Sequence, residues 1–344
     1  MYIYYLYTRA NPNPIRQYLA LSGRAHAGAL LPVTYESLVR KKIFGPGLYI
    51  FSDIEMLQTP LKEKVTEIYT TLTADPARYR VLNHPTRTLS RFPLLRTLHQ
   101  QGLNHFNVYR ATEELSALTF PVFLRRTDDH RGPQTSILKD HDTLKKTLEQ
   151  LARHGEDLNQ WLVTEFCDVR DSAGTYRKYS SFIVGKTIVP RHLFLGSDWV
   201  QKRPGPDLGP SQLEEERQFI EQNLFADQLS KIFALAQVDY GRIDFGVVDN
   251  RVQTWEINTN PMIITHGQLA PGPRQDVHTR FFKNFCAALN ALIQKDATAR
   301  PGLSYLPDQW NSAWGTFLER RRMTALGKLC ERITWKWERL TRRN

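Results

Sequence analysis

Apolar and polar positions along the first third of the chain repeat with two different periods. Residues 2–7 and 47–51 are short, nearly continuous runs of apolar and aromatic side chains, which is typical of buried strands. Residues 63–72 and 89–101 instead repeat apolar side chains with helical spacing, and Gly102 ends the second of these helices. Strands that alternate with helices in this way predict an α/β layer with parallel strands.

Further strands are predicted after residue 120, and polar loops join them. The predicted strands cover residues 120–125, 136–138, 161–166 and 181–189. Helices are predicted over residues 142–153 and 212–236. Residues 204–210 hold three prolines and two glycines and therefore predict a loop.

A pair of strands over residues 240–258 carries the clearest alternation of side chains. On the first strand, Ile243 and Phe245 point to one face, while Arg242 and Asp244 point to the other. The second strand divides its side chains in the same way, with Trp255 and Ile257 on one face and Glu256 and Asn258 on the other.

The register between these two strands decides whether their polar faces coincide. A two-residue turn would bury the Asp244 carboxylate against the apolar face of the second strand. A three-residue loop over 249–251 instead pairs Asp244 with Glu256 and Arg242 with Asn258. The apolar pattern therefore predicts the three-residue loop.

The paired polar face has the composition of a cation site. Two adjacent carboxylates repel each other unless positive charge neutralises them. The side-chain oxygens of Asp244, Glu256 and Asn258 are of the kind that Mg²⁺ prefers, and this ion completes its shell with phosphate and water. Arg242 beside them would meet the negative charge of a phosphoryl group. The alternative is a solvated hairpin with cross-strand ion pairs and no ligand.

The segments YGRIDF at 240–245 and WEINTNP at 255–261 resemble the signature of the ATP-grasp superfamily, which includes D-alanine–D-alanine ligase, glutathione synthetase and ribosomal-protein glutamate ligases. The resemblance implies an α/β (α+β) ATP-grasp fold. Its expected parts are an N-terminal pre-ATP-grasp layer at 1–105, one ATP-grasp subdomain at 106–185, a second at 186–296, and a basic helical tail at 297–344.

The resemblance also implies roles for individual residues. Asp244, Glu256 and Asn258 would hold Mg²⁺, with Mn²⁺ as an alternative ion, and Arg242 would be the catalytic contact to substrate and phosphate. Residues 120–132 and 163–168 resemble the phosphate-binding strand and loop and the adenine hinge of the family. The implied nucleotide-binding residues are Arg91, Arg125, Glu165, Cys167 and Lys178.

The sequence departs from the family pattern at three positions. Arg91 and Arg125 stand where the family usually has lysine, so the charge is kept but its shape changes from a compact ammonium to a planar fork. Met262 stands where the family usually has a glycine after the final proline.

The activity that the resemblance implies is an ATP- and Mg²⁺-dependent ligation of a carboxylate to an amine. The reaction would pass through an acyl-phosphate and release ADP and phosphate. Its substrates would be small-molecule or peptide carboxylates and amines. Two alternatives stay open at this point: a small-molecule kinase with the same fold, and a non-catalytic nucleotide-binding protein whose tail contacts a membrane or a partner.

The composition and the distribution of apolar residues argue against several other kinds of protein. The three cysteines are widely spaced, so neither a disulfide framework nor a structural zinc site is expected. No run of 18 apolar residues exists, and no basic region precedes the first strand, so we expect neither a membrane span nor a signal peptide. The expected location is the cytoplasm.

Net charge raises the question of a polyanionic partner. The chain carries 46 Lys and Arg against 35 Asp and Glu, a formal +11. Residues 297–344 hold ten basic and four acidic residues, a net +6, on an amphipathic helical pattern. This tail either packs on the protein or makes a weak contact with an anionic membrane or a partner. Since the remaining charge includes the expected phosphate ligands, no nucleic acid partner is expected.

Overall fold

Three β-sheets organise the part of the chain that the computed structural model describes, namely residues 1–22, 29–41, 43–127, 132–202 and 208–294. The mixed α/β architecture expected from the sequence is confirmed. The predicted tail helix lies outside the described residues. None of the described helices has both the length and the apolar content that crossing a bilayer requires.

The first sheet consists of four parallel strands, β1 (Tyr2–Tyr7), β2 (Leu30–Thr34), β3 (Gly47–Phe51) and β4 (Tyr79–Leu82), in the order β2–β1–β3–β4. The helices between them are α1 (Asn13–Ser22), α2 (Tyr35–Leu38) and α3 (Thr59–Thr73). Tyr5 and Ile50 pack into one core and Leu6 and Phe51 into another. Both faces of the sheet are therefore covered, which explains the nearly continuous apolar runs.

The second sheet is antiparallel and small. Its strands are β5 (Val108–Arg110), β6 (Val122–Arg126) and β7 (Trp161–Glu165), in the order β5–β7–β6. Helix α4 (Arg91–Gln100) precedes this sheet, and α5 (His141–Arg153) connects β6 to β7. The strand predicted at 136–138 is wrong, because Leu138 makes only an isolated bridge to Val122.

The third sheet is antiparallel and carries the hairpin that stood out in the sequence. Its strands are β8 (Tyr176–Val184), β9 (Thr187–Gly196), β10 (Tyr240–Val248) and β11 (Arg251–Asn258), in the order β11–β10–β8–β9. The helices around it are α6 (Pro210–Gln222), α7 (Ala226–Ala236), α8 (His266–Leu269) and α9 (Gln275–Gln294). Ile243 and Phe245 pack with α6 and α7, whereas Phe182 and Tyr240 pack with α9 and the first sheet.

Left-handed residues divide two segments that were predicted as continuous. The single strand expected at 181–189 is wrong, because Gly185, with φ 66°, turns the chain between β8 and β9. The single helix expected at 212–236 is also wrong, since Asn223, with φ 49°, ends α6 before α7 begins. The subdomain boundary predicted at 185 therefore falls inside one sheet, whose first strand begins at Tyr176.

Asn83 joins the first sheet to the third through its side-chain amide, which donates two hydrogen bonds and accepts two. Its Nδ2 donates to the backbone oxygens of Phe51 and Tyr240, both at 2.8 Å. Its Oδ1 accepts from the N–H groups of Asp239 and Tyr240, at 2.8 and 3.0 Å. Asn83 is 2% exposed, and its φ of 63° is tolerated by asparagine better than by most residues. The start of β10 is thus fixed to the edge of the parallel sheet.

The hairpin has the predicted pairs but not the predicted turn. Asp244 lies opposite Glu256, and Arg242 lies opposite Asn258. Val248 pairs with Arg251, so the turn has two residues, Asp249 and Asn250, with φ of 49° and 60°. The expected three-residue loop is wrong. A β-bulge at Trp255, which has no partner opposite, restores the register on the polar side.

We expect the turn to be sensitive to side-chain branching at Asn250. An Asn250→Val variant should lose about 1–2 kcal/mol of unfolding free energy, because a β-branched residue is strained at positive φ. Asn250→Gly, which removes that strain, should be at least as stable as the unaltered protein. Urea denaturation followed by tryptophan fluorescence measures both values. Equal stability of the valine and glycine variants would contradict the assigned turn.

Candidate active site

A row of four polar residues crosses one face of the third sheet. Glu256 on β11 lies opposite Asp244 on β10, Asp244 lies opposite Ser180 on β8, and Ser180 lies opposite His192 on β9. Directly paired residues project to the same side of a sheet. The pairing of the four strands thus brings these side chains together, although they come from distant parts of the sequence.

Asp244 is the most strongly bound member of the row. Its carboxylate accepts from Ser180 Oγ at 2.6 Å and Arg242 Nε at 3.0 Å, and it forms an ion pair with Lys178 Nζ at 2.7 Å. Burial disfavours its charge, since Asp244 is only 2% exposed. Arg242 and Lys178 outweigh that cost and hold the pKa of Asp244 well below its usual range. Lys178, which the sequence predicts to bind nucleotide, thus lies against the carboxylate of the hairpin, and its contact with a nucleotide stays a prediction.

Glu256 binds two arginines from outside the third sheet. Arg91 Nη2 is 2.5 Å and Arg125 Nη2 is 3.0 Å from the same oxygen, Oε2. Burial alone would raise the pKa of Glu256, but the two guanidinium groups lower it to about 2. The Nη1 of Arg91 also donates to the backbone oxygens of Arg126 and Thr127, at 3.1 and 2.8 Å. Helix α4 and strand β6 are thereby held against the hairpin.

The charges at this centre do not cancel. In the described ranges, the two carboxylates are contacted by four cationic side chains, which are Arg91, Arg125, Lys178 and Arg242. A local excess of positive charge between protein walls attracts anions. The centre is therefore suited to a polyanion such as a nucleoside triphosphate.

The donor atoms also fit a hard divalent cation. Asn258 Oδ1 accepts from the Asn260 N–H at 2.8 Å, and this donor identifies the atom as the oxygen of the amide. Asp244, Glu256 and Asn258 thus present side-chain oxygens that can act as metal ligands on one face of the sheet. Among the described residues, no group of three or more His, Cys, Asp and Glu side chains could hold a metal by itself. The set fits an ion that takes its remaining ligands from phosphate and water.

An apolar cleft opens beside the two carboxylates. Its walls include Phe123, Phe166 and Trp199, and the Trp199 ring lies 5.1 Å from that of Phe123 and 5.6 Å from that of Phe166. The buried Thr164 hydroxyl also lines the cleft, and it has no hydrogen-bond partner among the described residues. Aromatic walls with a polar group at depth suit a flat heteroaromatic base.

Gly246 allows an aromatic side chain to form part of the cleft wall. A Cβ atom at this position would come within 2.8 Å of Trp255 Cζ2 and of Val169 Cγ1. The absence of a side chain lets the indole of Trp255 lie across β10. Trp255 and Val169 both line the cleft.

The predicted hinge residues line the cleft, but their side chains are otherwise engaged. The Glu165 carboxylate accepts from the N–H groups of Asn107 and Thr119, both at 2.8 Å. Burial raises the pKa of the Cys167 thiol to about 11, so the thiolate is disfavoured. Both predicted residues thus lie at the cleft, and their contact with a nucleotide stays a prediction.

A second, more polar cavity of about 320 Å³ lies on the other side of Arg91. Residues that line it include Glu55, Lys62, Thr88, Ser90, Arg91 and Thr259. Arg91 connects the two spaces, because it lines this cavity while its guanidinium binds Glu256, which lines the cleft. The charged centre therefore lies between an apolar cleft and a polar cavity.

Three further basic residues, on β8, on β9 and in the segment after β9, differ in their surroundings. Arg177 is bound by Asp171 and Glu215, away from the carboxylate pair. Arg191 is buried, donates to the Ile263 oxygen at 2.8 Å, and is 4.3 Å from the ring centre of Phe281. Lys202 lines the apolar cleft.

Sequence reasoning missed Ser180, Trp199 and Glu55. Ser180 alternates with Lys178 on β8, and this spacing is a signal that could have placed it on the polar face. Trp199 lies in an irregular segment and Glu55 in a single 3₁₀ turn, Ile54–Met56, and both are too short to carry a periodic signal.

No protein-family model and no curated protein matches the chain. Solved structures do resemble it. The D-alanine–D-alanine ligase of Bacillus anthracis complexed with ATP is 14% identical with a TM-score of 0.49, over 86% of this chain and 99% of that chain. The ATP-grasp ligase PsnB complexed with a minimal precursor is 11% identical with a TM-score of 0.49, over 84% and 99%. D-cycloserine synthetase DcsG is 14% identical with a TM-score of 0.46, over 83% and 99%. A similarity this low does not establish an activity for this chain.

We expect the Glu256 ion pairs to make stability depend on pH in the protein free of metal and nucleotide. Because the pKa of Glu256 is lowered from 4.5 to about 2, its contribution is complete above pH 4.5 and is lost as the pH falls towards 2. A Glu256→Gln variant should lose on the order of 3 kcal/mol at pH 7 and nothing near pH 2.

Urea unfolding at a series of pH values, with a chelator present, measures this difference. Glu63→Gln, on the exposed side of α3, is the matched control. A Glu256→Gln deficit that is independent of pH would contradict the ionic origin of the stability.

Proposed function

We propose that this protein is an ATP-dependent ligase of the ATP-grasp type that joins a carboxylate to an amine. The observation that carries the proposal is the charged centre, where four cations contact two paired carboxylates between an apolar cleft and a polar cavity. Such a centre can neutralise a transferring phosphoryl group and hold the partners of the reaction on either side.

The nucleotide is assigned to the apolar cleft. Its base would lie among Phe123, Phe166 and Trp199 and meet the main chain of the hinge. Its phosphates would extend towards Arg125 and Lys178, which line the same cleft beside the carboxylates. Aromatic contacts would supply affinity for the base, and the excess positive charge would supply it for the phosphates.

The divalent ion is assigned to Asp244, Glu256 and Asn258. These three residues would hold Mg²⁺, or Mn²⁺ in its place, and the ion would reduce the negative charge of the transferring group. The protein side of this site consists of paired oxygens on β10 and β11, which the hairpin register keeps adjacent.

The carboxylate and amine substrates are assigned to the polar cavity beside Arg91. A substrate carboxylate oxygen attacks the terminal phosphorus of ATP, and the bond to ADP breaks. The amine nitrogen then attacks the carbonyl carbon of the acyl-phosphate, phosphate departs, and the nitrogen releases a proton. Arg242 would stabilise the negative charge of the acyl-phosphate and of the tetrahedral species. Positioning and charge neutralisation carry both steps, so no side-chain nucleophile is required.

Product analysis tests the reaction class. With MgATP and a panel of amino acids and small peptides, we expect ADP and phosphate to be released only when both a carboxylate and an amine substrate are present. A new amide should appear in equal amount by mass spectrometry. ADP release that requires only a hydroxyl acceptor and yields a phosphorylated product would show a kinase instead.

Metal binding should depend on the nucleotide, because Glu256 is bound by two arginines in its absence. Phosphates compete for those arginines and add oxygen ligands, so a non-hydrolysable ATP analogue should strengthen Mn²⁺ binding at least about tenfold. Electron paramagnetic resonance of free Mn²⁺ measures this affinity.

Two variants control the Mn²⁺ measurement. Asp244→Asn should abolish the nucleotide-dependent binding. Asp249→Asn, at the exposed turn of the same hairpin, should preserve it. Equal Mn²⁺ affinity with and without the analogue would refute the proposed competition.

A further inference from the structure

The segment that follows β11 is fixed by residues of the N-terminal layer. Thr259 is 2% exposed, and its hydroxyl accepts from the Ile54 N–H at 3.1 Å. The same hydroxyl donates to Glu55 Oε2 at 2.5 Å, and the Thr259 N–H donates to Glu55 Oε1 at 3.2 Å. Glu55 therefore holds both the backbone and the side chain of Thr259, across 204 positions of sequence.

Asn260 extends the same contact. Its Oδ1 accepts from the Tyr5 hydroxyl at 2.9 Å, and its Nδ2 donates to the Asn11 backbone oxygen at 3.0 Å. Asn11 is itself held by Asp53, whose carboxylate accepts from Asn11 Nδ2 at 2.9 Å. The loops that follow β1 and β3 thus bind the two residues after Asn258.

These contacts determine where Asn258 presents its amide oxygen. Asn258 is the last residue of β11, and the Asn260 N–H fixes its Oδ1 at 2.8 Å. Because strand pairing ends at Asn258, the ladder does not orient the chain beyond it. The orientation of the amide oxygen consequently depends on Thr259 and Asn260, and these depend on the N-terminal layer.

We propose that Glu55 is a positioning residue for the cation-holding end of the hairpin, and this inference rests on the proposed function. Glu55 acts through Thr259, which it fixes by two hydrogen bonds. A carboxylate suits this role because its two oxygens can accept from an N–H and an O–H at the same time. Glutamine has one acceptor oxygen, and its NH₂ group would face one of the two Thr259 donors.

The test is the Mn²⁺ affinity of the full chain in the presence of a non-hydrolysable ATP analogue. Glu55→Gln and Thr259→Val should each weaken this affinity about 10- to 100-fold, as the loss of residues that orient metal ligands typically does. Binding of the analogue without metal should stay within about twofold, since Glu55 does not line the apolar cleft. The KM for MgATP should rise more than the KM for either substrate.

Two control variants separate positioning from a general loss of structure. Thr259→Ser retains the hydroxyl that bonds Glu55 and Ile54, so it should bind Mn²⁺ like the unaltered protein. Glu36→Gln alters another carboxylate of the N-terminal layer, which accepts from the Arg9 N–H and has no hydrogen bond to the hairpin. It should also have no effect. If Glu55→Gln folds poorly, the comparison of Thr259→Val with Thr259→Ser decides the question.

Each outcome has a distinct meaning. Loss of Mn²⁺ affinity in Glu55→Gln and Thr259→Val, but not in the controls, supports the positioning role. Unchanged Mn²⁺ affinity in both variants overturns it. A raised KM for a substrate alone also overturns it, since Glu55 would then act by touching that substrate. If the unaltered protein binds neither the analogue nor Mn²⁺ with the analogue, the proposed function fails instead.

Discussion

The neutralisation of two adjacent carboxylates is the constraint on which the rest of the site depends. Asp244 and Glu256 lie side by side, the first buried and the second partly buried, a position that is unfavourable for either charge alone. The cations that resolve this come from three different places, namely α4, β6 and the third sheet itself. The ion pairs therefore join elements that the sheets alone would leave separate. Their geometry also leaves a positive excess, which makes the centre receptive to a polyanion.

The arginine at position 91 has a structural explanation. Its guanidinium reaches three acceptors, Glu256 and the backbone oxygens of Arg126 and Thr127. Those oxygens lie at the end of β6, immediately before the loop that the sequence associates with phosphates. A planar fork can bind several acceptors in fixed directions, whereas a lysine ammonium is a single compact charge. Arg91 thus contacts the backbone of the neighbouring strand as well as the carboxylate of Glu256.

The sequence sufficed to predict what is local and regular, but not what depends on distant contacts. The pairing of Asp244 with Glu256 was predicted correctly from a wrong turn, because the expected third loop residue and the observed bulge at Trp255 each shift the register by one position. A bulge is invisible in an alternation that assumes regular strands. The contact of Glu55 with Thr259 spans 204 positions, and no local sequence pattern predicts it. Gly185 is a sequence signal for a turn within residues 181–189. The apolar residues on both sides of it nevertheless led to the prediction of a single strand.

The bulge at Trp255 has a consequence for how such a site can diversify. In a regular hairpin, adding one residue to a strand exchanges its two faces beyond that point. Here the additional residue is accommodated locally, and its indole lies over Gly246 as part of the cleft. The side chain at this position can consequently change in size or character while the carboxylates keep their places. A single position of the chain thus allows the lining of the cleft to change independently of the charged centre.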